Sequence, residues 1–191
     1  MLWLKIKDEM VLRIKQKQKG FTVTEALIAL VLLGLLTILI APQLKVYYAQ
    51  NRVKAAAEGL YDDILNARMT TIKTATKSVI TFVTGSSWCY GISSDAIACV
   101  CTNAATASNC NLGITSGTSY PNTSLTLGTL TSPTTFDAIR AAPTNNGGTV
   151  TFSTTSGSTQ SVMLTLSALG TSALCSGSGG NANVGGYVGC P

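Results

Sequence analysis

The chain of 191 residues contains no histidine. Histidine is the most frequent general base in enzymes and the most frequent metal ligand in proteins, so its absence excludes every Ser-His and Cys-His nucleophile pair. The acids of the C-terminal region, Asp95 and Asp137, are scattered and have no base to pair with. The sequence therefore predicts a protein that is not an enzyme.

Charged residues are also scarce, at 11% of the chain against about 25% in ordinary soluble domains. The first 20 residues carry six basic side chains against two acidic ones, which accounts for most of the net charge of +5. No Lys or Arg follows Arg140. Nucleic-acid binding requires a basic surface that contacts phosphates, so this distribution argues against a nucleic-acid partner.

A long apolar run, residues 21–44, contains one charged residue, Glu25. As a helix it would extend roughly 36 Å, enough to cross a hydrocarbon core of about 30 Å. The basic residues that precede it place its N-terminus in the cytoplasm and residues 46–191 outside. A secretory signal peptide is the alternative, but it would need a shorter apolar run followed by a small-residue cleavage site.

Beyond Pro42 apolar residues continue to recur at intervals of three and four: Val46, Ala49, Val53, Ala56, Leu60, Ile64 and Ala67. This period predicts an amphipathic helix over residues 46–77 that continues the apolar helix of residues 21–45. Pro42 removes a backbone donor and is expected to bend the helix.

From Ser78 onward the composition changes to Thr, Ser, Gly and Asn with short apolar alternations, which predict strands over residues 78–83, 124–130, 149–153 and 161–167. The last two would form a hairpin through a connection containing Gly157. We expect these strands to form an antiparallel sheet that packs on the apolar face of the helix, giving an α+β fold with a β-rich head over residues 78–191. Disorder is the alternative for the tail after Leu174.

Six cysteines all lie in the region predicted to be outside the cytoplasm: Cys89, Cys99, Cys101, Cys110, Cys175 and Cys190. An even number in an oxidising compartment predicts disulfide bonds, but six cysteines allow 15 pairings. Cys175 with Cys190 is the first choice because the two bracket a glycine-rich segment. The shortest loops would join Cys89 to Cys99 and Cys101 to Cys110. A zinc site of these four is the alternative, although the usual ligand spacing is missing.

Glu25 is an acid within a predicted membrane helix, where a carboxylate costs roughly 2.5 to 3.5 kcal/mol and normally faces a partner. In one interpretation Glu25 simply reaches the membrane interface. In the other, cleavage between Gly20 and Phe21 produces an α-amino group that neutralises Glu25 of a neighbouring subunit.

The residues Lys19-Gly20-Phe21-Thr22-Val23-Thr24-Glu25, followed by about twenty apolar residues with Pro42 near their end, resemble the class III leader and N-terminal helix of type IV pilins and pseudopilins. The resemblance implies the type IV pilin fold and a leader peptide, residues 1–20, that a prepilin peptidase removes after Gly20 before N-methylating Phe21. It also implies filament assembly through the helix, with roles for Glu25 and Pro42. Thr24 departs from the aliphatic residue usual in the family. Met10 is an alternative start of the leader.

Residues 55–92 further resemble the GspH/FimT group, in which a helix ending in an Ala-Arg pair, here Ala67-Arg68, leads to a strand and a Trp-containing segment. We expect Trp88 to be a core aromatic rather than a ligand platform.

This resemblance implies a structural function as a minor pilin of a type IV pilus, in the tip complex that primes assembly, with no cofactor. The alternatives are a type II secretion pseudopilin and, in a different class, a DNA-receptor minor pilin for DNA uptake. The implied partners are other pilin subunits, the prepilin peptidase and the inner-membrane assembly platform. The precursor would lie in the inner membrane and the mature protein in a cell-surface pilus.

Overall fold

The computed structural model describes residues 20–101, 109–155, 160–177 and 184–190, without the side chains of residues 39, 41 and 42. The expected leader lies outside the described residues except for Gly20. The chain divides into two compact units, a first unit of residues 1–42 and a second unit of residues 43–191.

One long helix, α1, extends over Val23–Thr74. Its apolar side chains in the first unit are exposed, including Leu27, Leu32 and Ile38. In the described part of the chain no single helix meets the length and hydropathy of a membrane span, whereas Val23–Ile38 and Gln43–Thr74 taken together do, by length and composition. The side chain of Pro42 lies outside the described residues, so the expected bend stays a prediction.

In the second unit α1 buries the face that the periodicity predicted. Val53, Ala56, Leu60, Ile64 and Ala67 are all buried, whereas Val46, at the start of the predicted stripe, is exposed. The helix ends at Thr74 rather than at residue 77. Ala75 has a φ of 53°, the left-handed conformation that commonly terminates a helix.

Within the described ranges the strands form two antiparallel sheets of four strands each, not the one sheet that we expected. Sheet A has the order β3-β2-β1-β5 and sheet B the order β4-β6-β7-β8. Their bounds are Ser78–Val83 for β1, Cys89–Ser93 for β2, Gly113–Ser116 for β3, Thr123–Leu127 for β4, Thr134–Phe136 for β5, Gly148–Thr154 for β6, Ser161–Leu166 for β7 and Ser172–Ser176 for β8.

The four strands predicted from alternation correspond to β1, β4, β6 and β7. β6 and β7 pair directly, with Phe152 opposite Val162, as expected of a hairpin. Gly157 lies outside the described residues. The sheets meet where the backbones of Gly85 and Leu125 exchange two hydrogen bonds, of 2.9 and 3.1 Å. This short bridge joins the end of β1 to the edge strand of sheet B.

Aromatic side chains fill the core between α1 and the two sheets. Trp88 is fully buried, with its ring centroid 6.1 Å from Tyr90 and 5.9 Å from Tyr120. Its Nε1 donates a hydrogen bond of 3.0 Å to Thr123 Oγ1. Trp88 is therefore a core residue, as expected, and its only polar group already has a partner.

Candidate functional site

The predicted cleavage site lies immediately before α1. Gly20 and Phe21 are exposed and not helical, and the helix begins two residues later at Val23. A Cβ at Gly20 would have no atom within 4 Å. The fold therefore does not require glycine at this position.

Thr22 forms the N-cap of α1. Its Oγ1 accepts a hydrogen bond of 3.3 Å from the backbone N–H of Glu25, and its carbonyl accepts one of 3.1 Å from Ala26. Thr22 and Glu25 have the spacing of a capping box, and the carboxylate lies in the first helical turn, where negative charge is favourable. This role of Thr22 was not predicted, although the spacing of Thr22 and Glu25 was the available signal.

The structure thus brings Gly20, Phe21 and Glu25 to one exposed segment at the start of α1. Removal of the leader would leave the Phe21 amine directly before the N-cap. The pairing of that amine with Glu25 of a neighbouring subunit stays a prediction, as does the role of Pro42 in assembly.

All six cysteines form disulfide bonds: Cys89–Cys101, Cys99–Cys110 and Cys175–Cys190, with Cα–Cα distances of 6.1, 4.8 and 5.0 Å. The last is the pair chosen first from the sequence. The shortest-loop pairing of the other four is wrong, and so is the zinc alternative. Cys89 lies at the start of β2, and the chain after β2 returns over sheet A, which brings Cys101 rather than Cys99 to it.

Gly91 explains how the second bridge fits against sheet A. It lies in β2 between Tyr90 and Ile92, and a Cβ on it would overlap the sulfur of Cys99. The Cys99–Cys110 bridge therefore packs directly on the glycine backbone. Sequence reasoning missed this requirement because a glycine in a strand has several possible causes.

A hydrogen bond between a tyrosine and an aspartate joins α1 to sheet A. Tyr90 Oη donates a hydrogen bond of 2.8 Å to Asp63 Oδ2. Desolvation by burial raises the pKa of Asp63, opposed by this hydrogen bond and assisted by the nearby charge of Asp62. Desolvation also raises the pKa of Tyr90, so the phenol remains a donor.

Another tyrosine joins α1 to the C-terminal loop. Tyr187 Oη donates a hydrogen bond of 2.6 Å to Glu58 Oε1, and Lys54 Nζ lies 5.2 Å from the centroid of the tyrosine ring. The pKa of Tyr187 is raised, mainly because the phenol is partly buried and to a smaller extent because of the hydrogen bond to Glu58 and its charge. The loop closed by Cys175–Cys190 is thus attached to the helix as well as to β8.

Three basic side chains of the second unit bind to its own groups. Arg52 Nη1 donates to the carbonyl of Pro121 at 3.3 Å, and Arg68 Nε donates to that of Ala141 at 2.9 Å. Lys54 lies 3.9 Å from Glu58. These contacts leave fewer cations available for an external anion.

Comparison with known proteins gives two family matches. The prokaryotic N-terminal methylation motif matches residues 15–41. The family described as type II transport protein GspH matches residues 56–170, more than half of the chain. There is no significant match among curated proteins.

Two crystal structures of the type IV minor pilin FimU of Pseudomonas aeruginosa strain PAO1 are also similar. One has 17% identity and a TM-score of 0.48, covering 67% of this chain and 91% of FimU. The other has 15% identity and a TM-score of 0.43, covering 63% and 90%. On the two family matches, the chain belongs to the GspH family of type IV pilins and pseudopilins and carries the N-terminal methylation motif.

Proposed function

We propose that this protein is a minor pilin in the tip complex of a type IV pilus, where it primes assembly of the filament. The observation that carries the proposal is the covalent closure of two irregular segments of the second unit, the one that follows β2 and the C-terminal loop. Two disulfides fix the segment that covers sheet A, and the third fixes the C-terminal loop. Such closure suits a protein surface exposed outside the cell, where reduced thiols are not maintained.

Processing would begin with cleavage of the exposed bond between Gly20 and Phe21 and methylation of the new amine. The apolar side chains of the first unit then pack among the helices of other subunits. A carboxylate removed from water in that environment requires a cation. The positively charged Phe21 amine of a neighbouring subunit is the cation that pairs with Glu25. Thr22 continues to cap the helix.

A pseudopilin of a type II secretion system is the second candidate, favoured by the description of the matching family. Deletion of the gene distinguishes the two. Loss of surface pili with normal protein secretion supports the minor pilin, whereas loss of secretion with normal piliation supports the pseudopilin.

The processing step is tested by mass spectrometry of the protein from sheared filaments. We expect an N-terminal Phe21 that carries one methyl group. An intact leader in assembled filaments would contradict the proposal.

The role of Glu25 is tested by Glu25→Ala, with Asp62→Ala as a matched control that removes an exposed acid of the same helix. We expect Glu25→Ala to insert into the membrane but to be absent from sheared filaments, because it loses the charge and not the apolar span. The Asp62→Ala protein should assemble normally. Equal assembly of both variants would refute the pairing.

A further inference from the structure

The part of α1 at the start of the second unit is exposed on every side. Residues 43–48 are all exposed, with Leu44, Val46, Tyr47 and Tyr48 between 40% and 58%. A helical turn takes about 3.6 residues, so this segment covers more than one full turn and the sheets cover no face of it. We call residues 44–48 the tyrosine turn.

Exposure on every side indicates what kind of medium surrounds this turn. A helix that docks on a protein carries one apolar stripe and keeps the opposite face polar. Successive helical residues are about 100° apart, so Leu44, Val46 and Tyr47 point in three different directions. Lipid surrounds a helix in this way, whereas a single protein surface does not.

The tyrosine turn comes directly after the apolar run. Residues 21–44 supply the roughly 20 apolar residues that a membrane span needs, and Val23–Ile38 with Gln43–Thr74 have the length and composition of a span. Tyr47 and Tyr48 follow the end of the run by three and four positions. Tyrosine is enriched at the boundary between membrane and water because its ring is apolar and its hydroxyl is polar.

The two tyrosines have both parts available for such a boundary. Their ring centroids are 6.1 Å apart in an edge-on arrangement, and no described residue forms a hydrogen bond with either hydroxyl. The rings can therefore lie against acyl chains while the hydroxyls bind lipid carbonyl and phosphate oxygens.

Charge around the tyrosine turn has one sign. Lys45 is exposed within it, and Arg52 and Lys54 follow. No acid lies between Glu25 and Glu58. Arg52 and Lys54 already contact the second unit itself, through the carbonyl of Pro121 and the ring of Tyr187. Lys45 can extend its apolar stem along the lipid and place its ammonium beside a phosphate.

The distance from the tyrosines to the buried core matches the thickness of a headgroup layer. Val53 is the first buried residue of α1 in the second unit, five positions after Tyr48 and so roughly 7.5 Å along the helix. The headgroup region adds roughly 5 to 7.5 Å to each side of the hydrocarbon core. With the tyrosines at the inner edge of this layer, the buried core begins at its outer edge.

We propose that the tyrosine turn anchors the precursor at the outer surface of the membrane. The rings of Tyr47 and Tyr48 lie between acyl chains and headgroups, and Lys45 lies beside the lipid phosphates. The inference rests on the proposed function, because it concerns the membrane-bound stage that precedes assembly. The anchor fixes how deeply the helix sits in the bilayer.

Photocrosslinking of the full-length precursor in vesicles tests the lipid contact. The vesicles contain phosphatidylethanolamine and anionic phosphatidylglycerol in equal parts. A photoreactive residue replaces Tyr47 or Tyr48, with Leu30 of the apolar run and Thr126, an exposed residue of β4, as controls. We expect phospholipid adducts from positions 47 and 48 at least about fivefold above those from 126. Tandem mass spectrometry should locate their bonds in the headgroup, the glycerol or the first methylenes, and those from position 30 deeper in the acyl chain.

The control at Leu30 separates the two possible failures. Lipid adducts from position 30 without any from 47 and 48 would overturn this inference and leave the proposed function standing. Adducts from 47 and 48 with a second copy of the chain only, or bonds deep in the acyl chain, would overturn it as well. No lipid adduct from any position, including 30, would contradict the membrane-bound stage of the proposed function.

The anchoring role is tested by the double variant Tyr47→Ser with Tyr48→Ser, and Tyr47→Trp with Tyr48→Trp is the matched control. A photoreactive residue at Leu44 reports the depth of the helix in each variant. We expect the bond positions along the acyl chain to spread over a range at least about twofold wider in the serine variant, and to stay unchanged in the tryptophan variant. An unchanged range in the serine variant would overturn the anchoring role.

Discussion

At the scale of single residues, Gly91 determines whether the second disulfide can form. Gly91→Ala would place a methyl group where Cys99 Sγ lies, in a buried strand that is paired with β1 on one side and β3 on the other. We expect two free thiols, at Cys99 and Cys110, and a loss of up to about 3 kcal/mol in stability from the open loop. Thiol alkylation and mass spectrometry measure this. Gly185→Ala, where a Cβ would meet nothing within 4 Å, is the control and should keep all thiols oxidised.

Asp63 gives the second prediction at this scale, a dependence of stability on pH. Its pKa is raised in the folded protein above the usual 3.8, so the folded state holds the proton more tightly than the unfolded chain. The stability contributed by the neutral acid is complete below that usual value and is lost as the pH rises through the raised one.

The variant Asp63→Asn removes this titration and keeps an oxygen that can accept the hydrogen bond from Tyr90. The stability of Asp63→Asn relative to the unmodified protein should therefore increase as the pH rises from the usual pKa of an aspartate through the raised pKa of Asp63, as measured by urea unfolding of residues 46–191. Tyr90→Phe removes the hydrogen bond that lowers the pKa of Asp63. The stability of this variant should therefore continue to fall up to a higher pH than that of the unmodified protein. A difference between Asp63→Asn and the unmodified protein that does not change with pH would contradict this account.

At the scale of elements, the C-terminal loop depends on the bridge between Cys175 and Cys190. The loop contributes the buried Val184, whose N–H donates a hydrogen bond of 2.7 Å to Ser176 Oγ. Replacing both cysteines by serine should cost about 2 to 4 kcal/mol and release Tyr187 from Glu58 first. Urea unfolding and limited proteolysis measure the two effects. Tyr187→Phe is the control, which loses one hydrogen bond and should leave the loop in place.

Elements with a clear period were predictable from the sequence, and elements defined by their neighbours were not. The buried face of α1 and the strands β1, β4, β6 and β7 follow from apolar spacing alone. β2 is buried at every position because α1 covers one face and the disulfide-bonded segment covers the other, so it shows no alternation. β5 has three residues, too few to show a period. The division into two sheets depends on long-range pairing that the sequence does not display.

The same difference between local and long-range features applies to single residues. Gly20, Phe21 and Glu25 were identified from the sequence because their proposed roles depend on residues adjacent in the chain. Gly91 was not identified, because the sulfur atom that packs on it belongs to Cys99, outside its own strand.

At the scale of the whole molecule, the charge distribution predicts weak DNA binding. Residues 46–191 contain six basic side chains against five acidic ones. Arg52, Lys54 and Arg68 already bind groups of the second unit, which leaves Lys73, Lys77 and Arg140.

With about three phosphate contacts at most, the logarithm of the DNA affinity should fall with the logarithm of salt concentration with a slope no steeper than about −3. Titration of residues 46–191 with duplex DNA at several salt concentrations measures the slope. Micromolar binding at physiological salt, abolished by replacing Lys73 and Lys77 with alanine, would establish the DNA-receptor alternative instead.

The lack of Lys and Arg after Arg140 also affects how the protein resists digestion. A protease that cuts only after basic residues finds no site in Ala141–Pro191, and between Lys77 and Arg140 it finds none either. Each disulfide lies wholly within one of these two stretches, Cys89–Cys101 and Cys99–Cys110 in the first and Cys175–Cys190 in the second. Trypsin-like enzymes outside the cell could therefore cut α1 and the turn at Arg140, but every strand would stay intact.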